Sequence, residues 1–517
     1  MLQPIIKESS VTSSEAFLAY LCDKTFLSLW SYPNVYTNEG FSKTKTGKEL
    51  CDLLVVFNNN IFIFSDKDIK FNREAEINVS WERWKKKSIC NSIRQLYGAE
   101  SFIKRYPKRI FVNKECSTPF PIEFDIETAN IYLIAVTKNS VEPASEYFGQ
   151  SDHGCLGTLV QCYNGLSVMQ NKPFHISDYH PEKTFVHIFD EHGLQLVMSE
   201  LDTMHDFVSY LDAKQKYIRD GVVGCIVGEE EFLALYITHK DPMVSVVGAM
   251  PLEEPNSIIV EGHWENYQGS FRKELLDAYK KGSESWDDII NHLSQHILSA
   301  SVGLGADLEF STHEKAIKYL ASENRVSRYF LSKALNEKFH LVPKNVRSAR
   351  LATSPLYQSN MYIFLFYPKK DEESYEEYRE ARQNSMHAYA FVAKYKYPKC
   401  NNFIVFATEP KGNNFRSEDI IVFEYQEELS FEMRNKARMV MEKDNILNDM
   451  TAVKDDSNKG CDVGRNSACP CGSGKKYKKC LYRSSYHLTP ASNRCLVYAT
   501  LVRTSFGINF RPFLNML

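Results

Sequence analysis

The spacing of hydrophobic residues in the first hundred positions predicts a helix, a β-hairpin and a second helix, in that order. The first segment repeats its apolar residues with helical spacing, and Ser13 or Ser14 is expected to cap it. Two apolar runs flank the triplet Asn58-Asn59-Asn60, which is typical of a tight turn. The predicted elements are a helix at 14–30, a polar loop at 38–48, strands at 49–57 and 61–64, and a long basic helix at 81–105.

Beyond residue 125 the pattern predicts mixed α/β packing. Short apolar strands alternate with one helix at 126–270, helices dominate 271–340, and a strand, a helix and a strand follow. A chain of 517 residues is too long for a single hydrophobic core. We therefore expect an α/β multi-domain protein.

Composition narrows the class of protein. The formal net charge is −3, so binding to nucleic acid would need a local basic surface. The sequence has no run of roughly eighteen apolar residues, and its N-terminus lacks the basic and apolar regions of a signal peptide. Most of the 13 cysteines are scattered, as expected for reduced thiols. These features predict a cytoplasmic protein with no membrane span.

Three cysteines near the C-terminus, Cys469, Cys471 and Cys480, have the spacing of a zinc site. Zinc prefers four tetrahedral sulfur or nitrogen ligands, and Cys-Pro-Cys places two thiolates beside one ion. The glycines of Gly472-Ser473-Gly474 allow a sharp turn that returns the third thiolate. Because the segment has almost no apolar core, its folding energy would come from the metal.

Residues 464–480 (GRNSACPCGSGKKYKKC) resemble the SEC-C motif, the zinc-binding tail of the protein-export ATPase SecA. The resemblance implies bound Zn²⁺ and a recruitment role, since the tail of SecA contacts the chaperone SecB and ribosomes. No phosphate-loop motif of a SecA-type motor occurs in the sequence. Five cations form a surface suited to an acidic protein or a phosphate backbone, namely Arg465, Lys475, Lys476, Lys478 and Lys479.

The fourth ligand of the motif falls at position 481, where this chain has Leu481. His487 is the nearest replacement, and Cys495 and Cys461 are the alternatives. The tail 481–517 contains no Asp, Glu or Lys. A frameshift just before this tail and a genuine hydrophobic docking segment both explain these features, and resequencing the 3′ end of the gene distinguishes them.

The predicted hairpin carries acids and a lysine. Glu49 and Asp52 lie in its first strand, Ser65-Asp66-Lys67 ends its second strand, and Glu15 lies on the preceding helix. This arrangement, over roughly the first 120 residues, resembles the PD-(D/E)xK nuclease fold, including its Mrr-like and NERD-like branches. The resemblance implies a restriction-endonuclease-like α/β core, bound Mg²⁺ and hydrolysis of DNA or RNA phosphodiesters.

The chemistry of that reaction explains the residue types. A divalent metal neutralises the scissile phosphate and lowers the pKa of an attacking water, and Mg²⁺ prefers carboxylate oxygens. Asp52 is the strongest single candidate, because a charged residue inside an apolar strand is otherwise costly to bury. The other candidate catalytic residues are Glu15, Glu49, Asp66 and Lys67.

Alternation along a strand places Lys67 on the same face as Ser65 and not on that of Asp66. Three arrangements remain open at this stage. In the first, a bulge turns Asp66 to the face of Lys67. In the second, Asp68 and Lys70 supply the acid and the lysine. In the third, the site is degenerate and does not cleave nucleic acid.

The basic helix after the hairpin fits a surface that follows a nucleic-acid backbone. Trp81 and Trp84 are interleaved with its cations, and Gln95 lies where related nucleases place a polar residue facing the site. A solvated helix face with two core tryptophans is the alternative. The predicted nucleic-acid contacts are Arg83, Lys86, Lys87 and Arg94.

Two further segments are interpreted as structural. The run Glu229-Glu230-Glu231 is expected to be a solvated helix start. Cys155 and Cys162 match no zinc spacing and are expected to be ordinary buried thiols.

Two functions are compatible with these patterns. The first is a metal-dependent nuclease acting in anti-phage or genome defence, with a zinc module that recruits a partner. The second is a non-catalytic adaptor that binds a protein or ribosomal partner. The expected parts are a nuclease-like domain at 1–125, an α/β domain at 126–270, a helical and α/β domain at 271–450, a linker at 451–464, the zinc module at 465–482 and an atypical tail at 483–517.

Overall fold

The structure forms two compact units, Met1–Lys273 with Ile290–Asn324 and Glu274–Ile289 with Arg325–Leu517. Each contains helices and β-sheet, which confirms a mixed α/β multi-domain fold. No helix in the described part of the chain is long and apolar enough to cross a membrane. This computed structural model describes residues 2–8, 12–149, 157–163, 172–238, 255–303, 305–412, 417–448, 450–453 and 498–501.

The first unit opens with a helix and three antiparallel strands. The elements up to residue 137 are α1 (Ser13–Phe26), β1 (Ser31–Thr37), α2 (Phe41–Thr44), β2 (Lys48–Phe57), β3 (Asn60–Lys67), α3 (Ile77–Lys85), a π-helical turn (Lys86–Cys90), α4 (Asn91–Arg105), β4 (Ile110–Phe111) and β5 (Asn130–Thr137).

Shorter elements follow, and they end in a helical region. In chain order they are α5 (Val141–Gly149), β6 (Val160–Cys162), β7 (His175–Ile176), β8 (Val186–Asp190), α6 (Glu191–Glu200), α7 (Met204–Arg219), β9 (Val223–Ile226), α8 (Glu229–Thr238), β10 (Ser257–Ile259), α9 (His263–Gln268), α10 (Phe271–Gly282), α11 (Glu284–Leu298) and α12 (Phe310–Ala321).

Six strands form the first sheet, in the order β4-β1-β2-β3-β5-β8. Neighbours from β4 to β3 are antiparallel, whereas β3, β5 and β8 run parallel. Phe62 of β3 stacks on Phe26 of α1 and on Tyr132 of β5, with ring centroids 5.1 and 4.8 Å apart. The sheet continues past the expected boundary at residue 125, so the first 125 residues do not contain all of it.

A second sheet in this unit has the order β10-β9-β6-β7. The pair β6 and β9 is antiparallel, and β10 runs parallel to β9.

The second unit is a six-stranded sheet covered by helices. Its core packs α14 against three strands, with Ile363, Met386, Tyr389 and Val405 at most 1% exposed. The elements after residue 324 are α13 (Arg325–Leu341), β11 (Ser348–Thr353), β12 (Asn360–Phe366), α14 (Tyr375–Lys396), β13 (Asn402–Thr408), β14 (Asp419–Glu424), α15 (Phe431–Asp444), β15 (Met450–Val453) and β16 (Tyr498–Leu501), and the sheet order is β14-β13-β12-β11-β16-β15.

The predicted N-terminal elements are present with altered ends. The expected caps Ser13 and Ser14 are wrong, because the Thr12 side chain accepts the Glu15 N–H and begins α1. The predicted helix at 81–105 is interrupted by the π-helical turn between α3 and α4.

Candidate functional site

Asp52 and Lys67 meet at the end of the β2–β3 hairpin. The backbone N–H of Asp66 donates to Asp52 Oδ2 at 2.5 Å, and Lys67 Nζ lies 3.6 Å from the same oxygen. Asp52 is only 8% exposed. A carboxylate in this position needs both partners, because an uncompensated buried charge is costly. The hairpin therefore holds one acid and one lysine together.

A β-bulge brings Glu49 to the same place. Val35 of β1 pairs with Cys51 and Tyr36 pairs with Glu49, so Leu50 is skipped. Without this extra residue, Glu49 would point to the face of Cys51, and the bulge returns it to the face of Asp52. The two carboxyl groups then share a hydrogen bond.

The pKa of Glu49 is raised to about 7. Loss of hydration is the main cause, followed by the hydrogen bond with Asp52 and the negative charge of that residue, while Lys67 opposes the rise. A carboxyl group beside a second one is harder to ionise, because the two negative charges repel each other. Glu49 therefore keeps its proton to a higher pH than an isolated carboxyl group does.

Ser65 lies on the same face of β3 as Lys67, as the alternation of side chains along the strand predicted. Its hydroxyl donates to Gln95 Oε1 of α4 at 3.2 Å and lies 3.2 Å from Ser92 Oγ. The α4 helix therefore covers this face and directs a polar side chain towards the end of the hairpin, which agrees with the position expected for Gln95.

Asp66 points to the other face of the sheet. Its carboxylate accepts from the Ser14 hydroxyl, and Lys138 Nζ lies 4.0 Å away. Burial raises the pKa of Asp66, and the bond from Ser14 opposes the rise. The pairing of β3 with β5 is regular through Lys67, so no bulge turns Asp66 towards Asp52 and that alternative is wrong.

The alternative pair, Asp68 and Lys70, does not converge on Asp52 either. Asp68 accepts from Asn139 Nδ2 at 2.7 Å, beyond the end of β3, and Lys70 is exposed. The lysine beside Asp52 is Lys67.

Glu15 has a structural contact that the sequence analysis did not predict. Its carboxylate accepts from the Thr12 backbone N–H at 3.3 Å and completes a capping box at the start of α1. The charge of Glu15 also raises the pKa of Glu49, which places this acid near the hairpin.

The cations of the basic helix are exposed, but its tryptophans are not available to bases. Trp81 and Trp84 are 0 and 2% exposed and stack on each other. Trp84 Nε1 donates to the carbonyl oxygens of Ile69 and Lys138. The prediction that aromatic and basic side chains alternate on one binding surface is therefore wrong. The alternative, in which both tryptophans belong to the core, is correct. The exposed cations are Arg83, Lys86, Lys87 and Arg94.

The solvated helix start expected at Glu229-Glu230-Glu231 is also wrong, because all three side chains are buried. Glu229 forms an ion pair with Lys214 at 2.5 Å and accepts from Gln161 Nε2 at 2.5 Å. These contacts could not be predicted from the sequence, because each partner lies on a different element at least fifteen residues away. The network is saturated with partners and is a structural feature.

The remaining predictions concern metal ligands. Within the described residues, no group of three or more His, Cys, Asp or Glu side chains is arranged to hold a metal ion. Among the side chains described above, the Glu49–Asp52 carboxyl pair is chemically the most similar to a metal site. The predicted zinc ligands Cys469, Cys471, Cys480 and His487 lie outside the described residues.

One family model matches the chain, the SEC-C motif, at residues 465–480. The match covers a small part of the chain and includes Cys469, Cys471 and Cys480, but not His487. No curated protein matches the sequence, and no solved structure matches the fold. The chain therefore carries a SEC-C motif at its C-terminal end.

Proposed function

We propose that the protein is a metal-dependent nuclease that hydrolyses phosphodiesters of DNA or RNA. The observation that carries the proposal is the meeting of Glu49, Asp52 and Lys67 at one end of the hairpin. A carboxyl pair can hold the metal that assists phosphodiester hydrolysis, and an adjacent lysine can balance charge on the phosphate.

Glu49 and Asp52 would hold the metal. Mg²⁺ is usually held by one or two carboxylates, with water and substrate oxygens completing the shell, so a two-carboxylate site suits it. When bound, the metal neutralises the phosphate and acidifies the attacking water. The raised pKa of Glu49 beside Asp52 supports this position for a cation, since a cation would relieve the repulsion between the two acids.

Lys67 and Gln95 would act on the substrate side. The Lys67 ammonium is partly exposed and faces the same oxygen of Asp52, so it is placed to orient a water and to balance charge on the phosphate. Gln95, held by Ser65, adds a polar group on the same face. The exposed cations Arg83, Lys86, Lys87 and Arg94 would contact the nucleic-acid backbone.

A cleavage assay tests the proposal. Purified protein with Mg²⁺ or Mn²⁺ is incubated with single- and double-stranded DNA and RNA, beside the variants Asp52→Asn and Lys67→Ala. We expect cleavage by the wild type and a loss of at least about a hundredfold in either variant. Asn preserves the acceptor for the Asp66 N–H, so loss of activity would reflect loss of charge and not of the fold.

Lys48→Ala is the matched control for Lys67→Ala, because Lys48 is an exposed lysine at the start of β2 that forms an ion pair with the exposed Glu39. Its activity should equal that of the wild type. Failure of the wild type to cut any of these substrates removes the enzyme proposal. Cleavage that persists in both site variants places the active site elsewhere.

A second function is supported by the match to the SEC-C motif. In this proposal the cysteine module binds Zn²⁺ and recruits a protein or ribosomal partner without any catalysis. Cosedimentation of the full chain with ribosomes, compared with Cys469→Ser, tests it directly. Equal sedimentation of the two proteins would contradict ribosome recruitment by the module.

A further inference from the structure

Two cysteines face each other across the second sheet. Cys162 of β6 and Cys225 of β9 are paired residues of antiparallel strands, and their sulfur atoms are 3.4 Å apart. Neither cysteine forms a disulfide in the structure, and they are 0 and 3% exposed. Nothing in the proposed nuclease chemistry uses them.

The register of the strands favours a covalent bond between these residues. The Tyr163 N–H donates to the Gly224 carbonyl at 2.8 Å, so the position next to the cysteines is the hydrogen-bonded one. Cys162 and Cys225 therefore occupy a non-hydrogen-bonded position, where the Cα atoms approach to about 4.5 Å. This distance lies inside the range of about 4.4–6.8 Å that disulfides require.

The two thiols are not equivalent. The Cys162 and Cys225 sulfur atoms share a hydrogen bond, which raises the pKa of Cys162 and lowers that of Cys225. Burial raises the pKa of both, and a backbone contact at Ile226 lowers that of Cys225 further. Cys225 is consequently the thiol that reaches the reactive thiolate form first.

We propose that Cys162 and Cys225 are a reversible oxidation site that forms a cross-strand disulfide with a small hydroperoxide as oxidant. The Cys225 thiolate attacks the peroxide, the O–O bond breaks, and the product is a sulfenic acid with one molecule of water or alcohol. The Cys162 sulfur then attacks the sulfenic sulfur, the S–O bond breaks, and hydroxide leaves with the thiol proton as water. Two thiols are oxidised, and one peroxide is reduced.

Peptide mapping of the full-length protein tests this site. The protein is treated with hydrogen peroxide, alkylated under denaturing conditions and digested with trypsin. Cys225 is the sole cysteine of the tryptic peptide 220–240, whereas Cys162 shares the peptide 139–183 with Cys155. We expect a cross-linked pair of these two peptides that lacks two hydrogen atoms and separates with dithiothreitol.

Three variants assign the bond. Cys162→Ser and Cys225→Ser should abolish the cross-link, whereas Cys155→Ser should retain it. The disulfide closes a loop across β6 and β9, so the oxidised wild type should also unfold at a temperature higher by several degrees. Recovery of both peptides fully alkylated after peroxide treatment overturns the proposal, and so does a cross-link that survives in Cys162→Ser.

Discussion

At the scale of single residues, the Glu49–Asp52 pair would couple the binding of a proton to the binding of the proposed metal. The folded chain holds the Glu49 proton more tightly than the unfolded chain, whose pKa is near 4.5, because the pKa of Glu49 is raised to about 7. The stabilising effect of that proton is complete below about pH 4.5 and is lost as the pH rises to about 7. A divalent cation would take the place of the proton, so the two compete.

This competition predicts a pH-dependent metal affinity. Mn²⁺ affinity should rise by up to about tenfold per pH unit below pH 7 and level off above it. In Glu49→Gln the affinity should be weaker and nearly independent of pH, because no proton has to leave. Isothermal titration between about pH 5.5 and 8.5 measures both effects. Glu39→Gln, at an exposed acid, is the control, and an unchanged pH profile in Glu49→Gln would contradict the assignment.

Glu229 shows how a buried charge depends on its partners. Its carboxylate is 2% exposed and is held by Lys214, Gln161 and the Tyr210 hydroxyl. The Coulomb attraction within such a pair is offset by the cost of desolvating both ions. Removing one partner alone leaves the other charge buried without compensation. The pair therefore affects stability mainly when a single partner is lost.

We predict that Lys214→Met destabilises the first unit by about 3 kcal/mol or more. Adding Glu229→Gln to that variant should restore part of the loss, because no buried charge is left without a partner. Urea unfolding of the three proteins measures the change. Lys216→Met, an exposed lysine on the same helix, should change the free energy of unfolding by less than about 0.5 kcal/mol. A loss of equal size in both lysine variants would contradict this account.

At the scale of elements, the start of α1 positions Ser14 against Asp66. The Thr12 side chain accepts the Glu15 N–H, and the Glu15 carboxylate accepts the Thr12 N–H. Thr12→Ala should therefore cost about 1 kcal/mol of stability, whereas Ser13→Ala should be nearly neutral. Hydrogen exchange at the amides of the first turn measures the difference. Equal protection in both variants would exclude Thr12 as the cap.

The hairpin was predictable because its information is local. Apolar runs on either side of Asn58-Asn59-Asn60 define two strands and a turn, and alternation places Ser65 and Lys67 on one face. The bulge at Leu50 was not predictable, because it depends on the pairing of β2 with β1. The β1 strand itself was missed, since Ser31–Thr37 contains a proline and no clear alternation.

The main error of the sequence-based predictions concerns polar side chains that are buried in the structure. Glu229-Glu230-Glu231 reads as a solvated helix start, because charged side chains are rarely buried without a partner. The partners are Lys214, Gln161 and Thr158, which the chain brings together only on folding. The prediction for Trp81 and Trp84 was wrong in the opposite sense, because it placed both rings at the surface. Their cationic neighbours are exposed, whereas the rings lie in the core.

At the scale of the whole molecule, the hairpin site and the SEC-C motif lie more than 390 residues apart in the chain. In the proposed functions each would use a different ion, with carboxylates for Mg²⁺ at the hairpin and thiolates for Zn²⁺ at the motif. The backbone of β16, which follows the motif, pairs with β11 and β15 in the second unit. A truncation would remove this strand too, so side-chain substitution is the cleaner way to separate the two functions.

The double variant Cys469→Ser with Cys471→Ser should lose bound zinc and the partner while it retains Mg²⁺-dependent cleavage. Two of the three predicted thiolate ligands are removed, whereas Glu49, Asp52 and Lys67 are untouched. Metal content by mass spectrometry, ribosome cosedimentation and the cleavage assay give three independent readings. Cys116→Ser, a half-buried cysteine of the first unit, should leave all three unchanged. Parallel loss of zinc and cleavage would contradict the independence of the two sites, because an independent recruitment module would leave the hairpin unchanged.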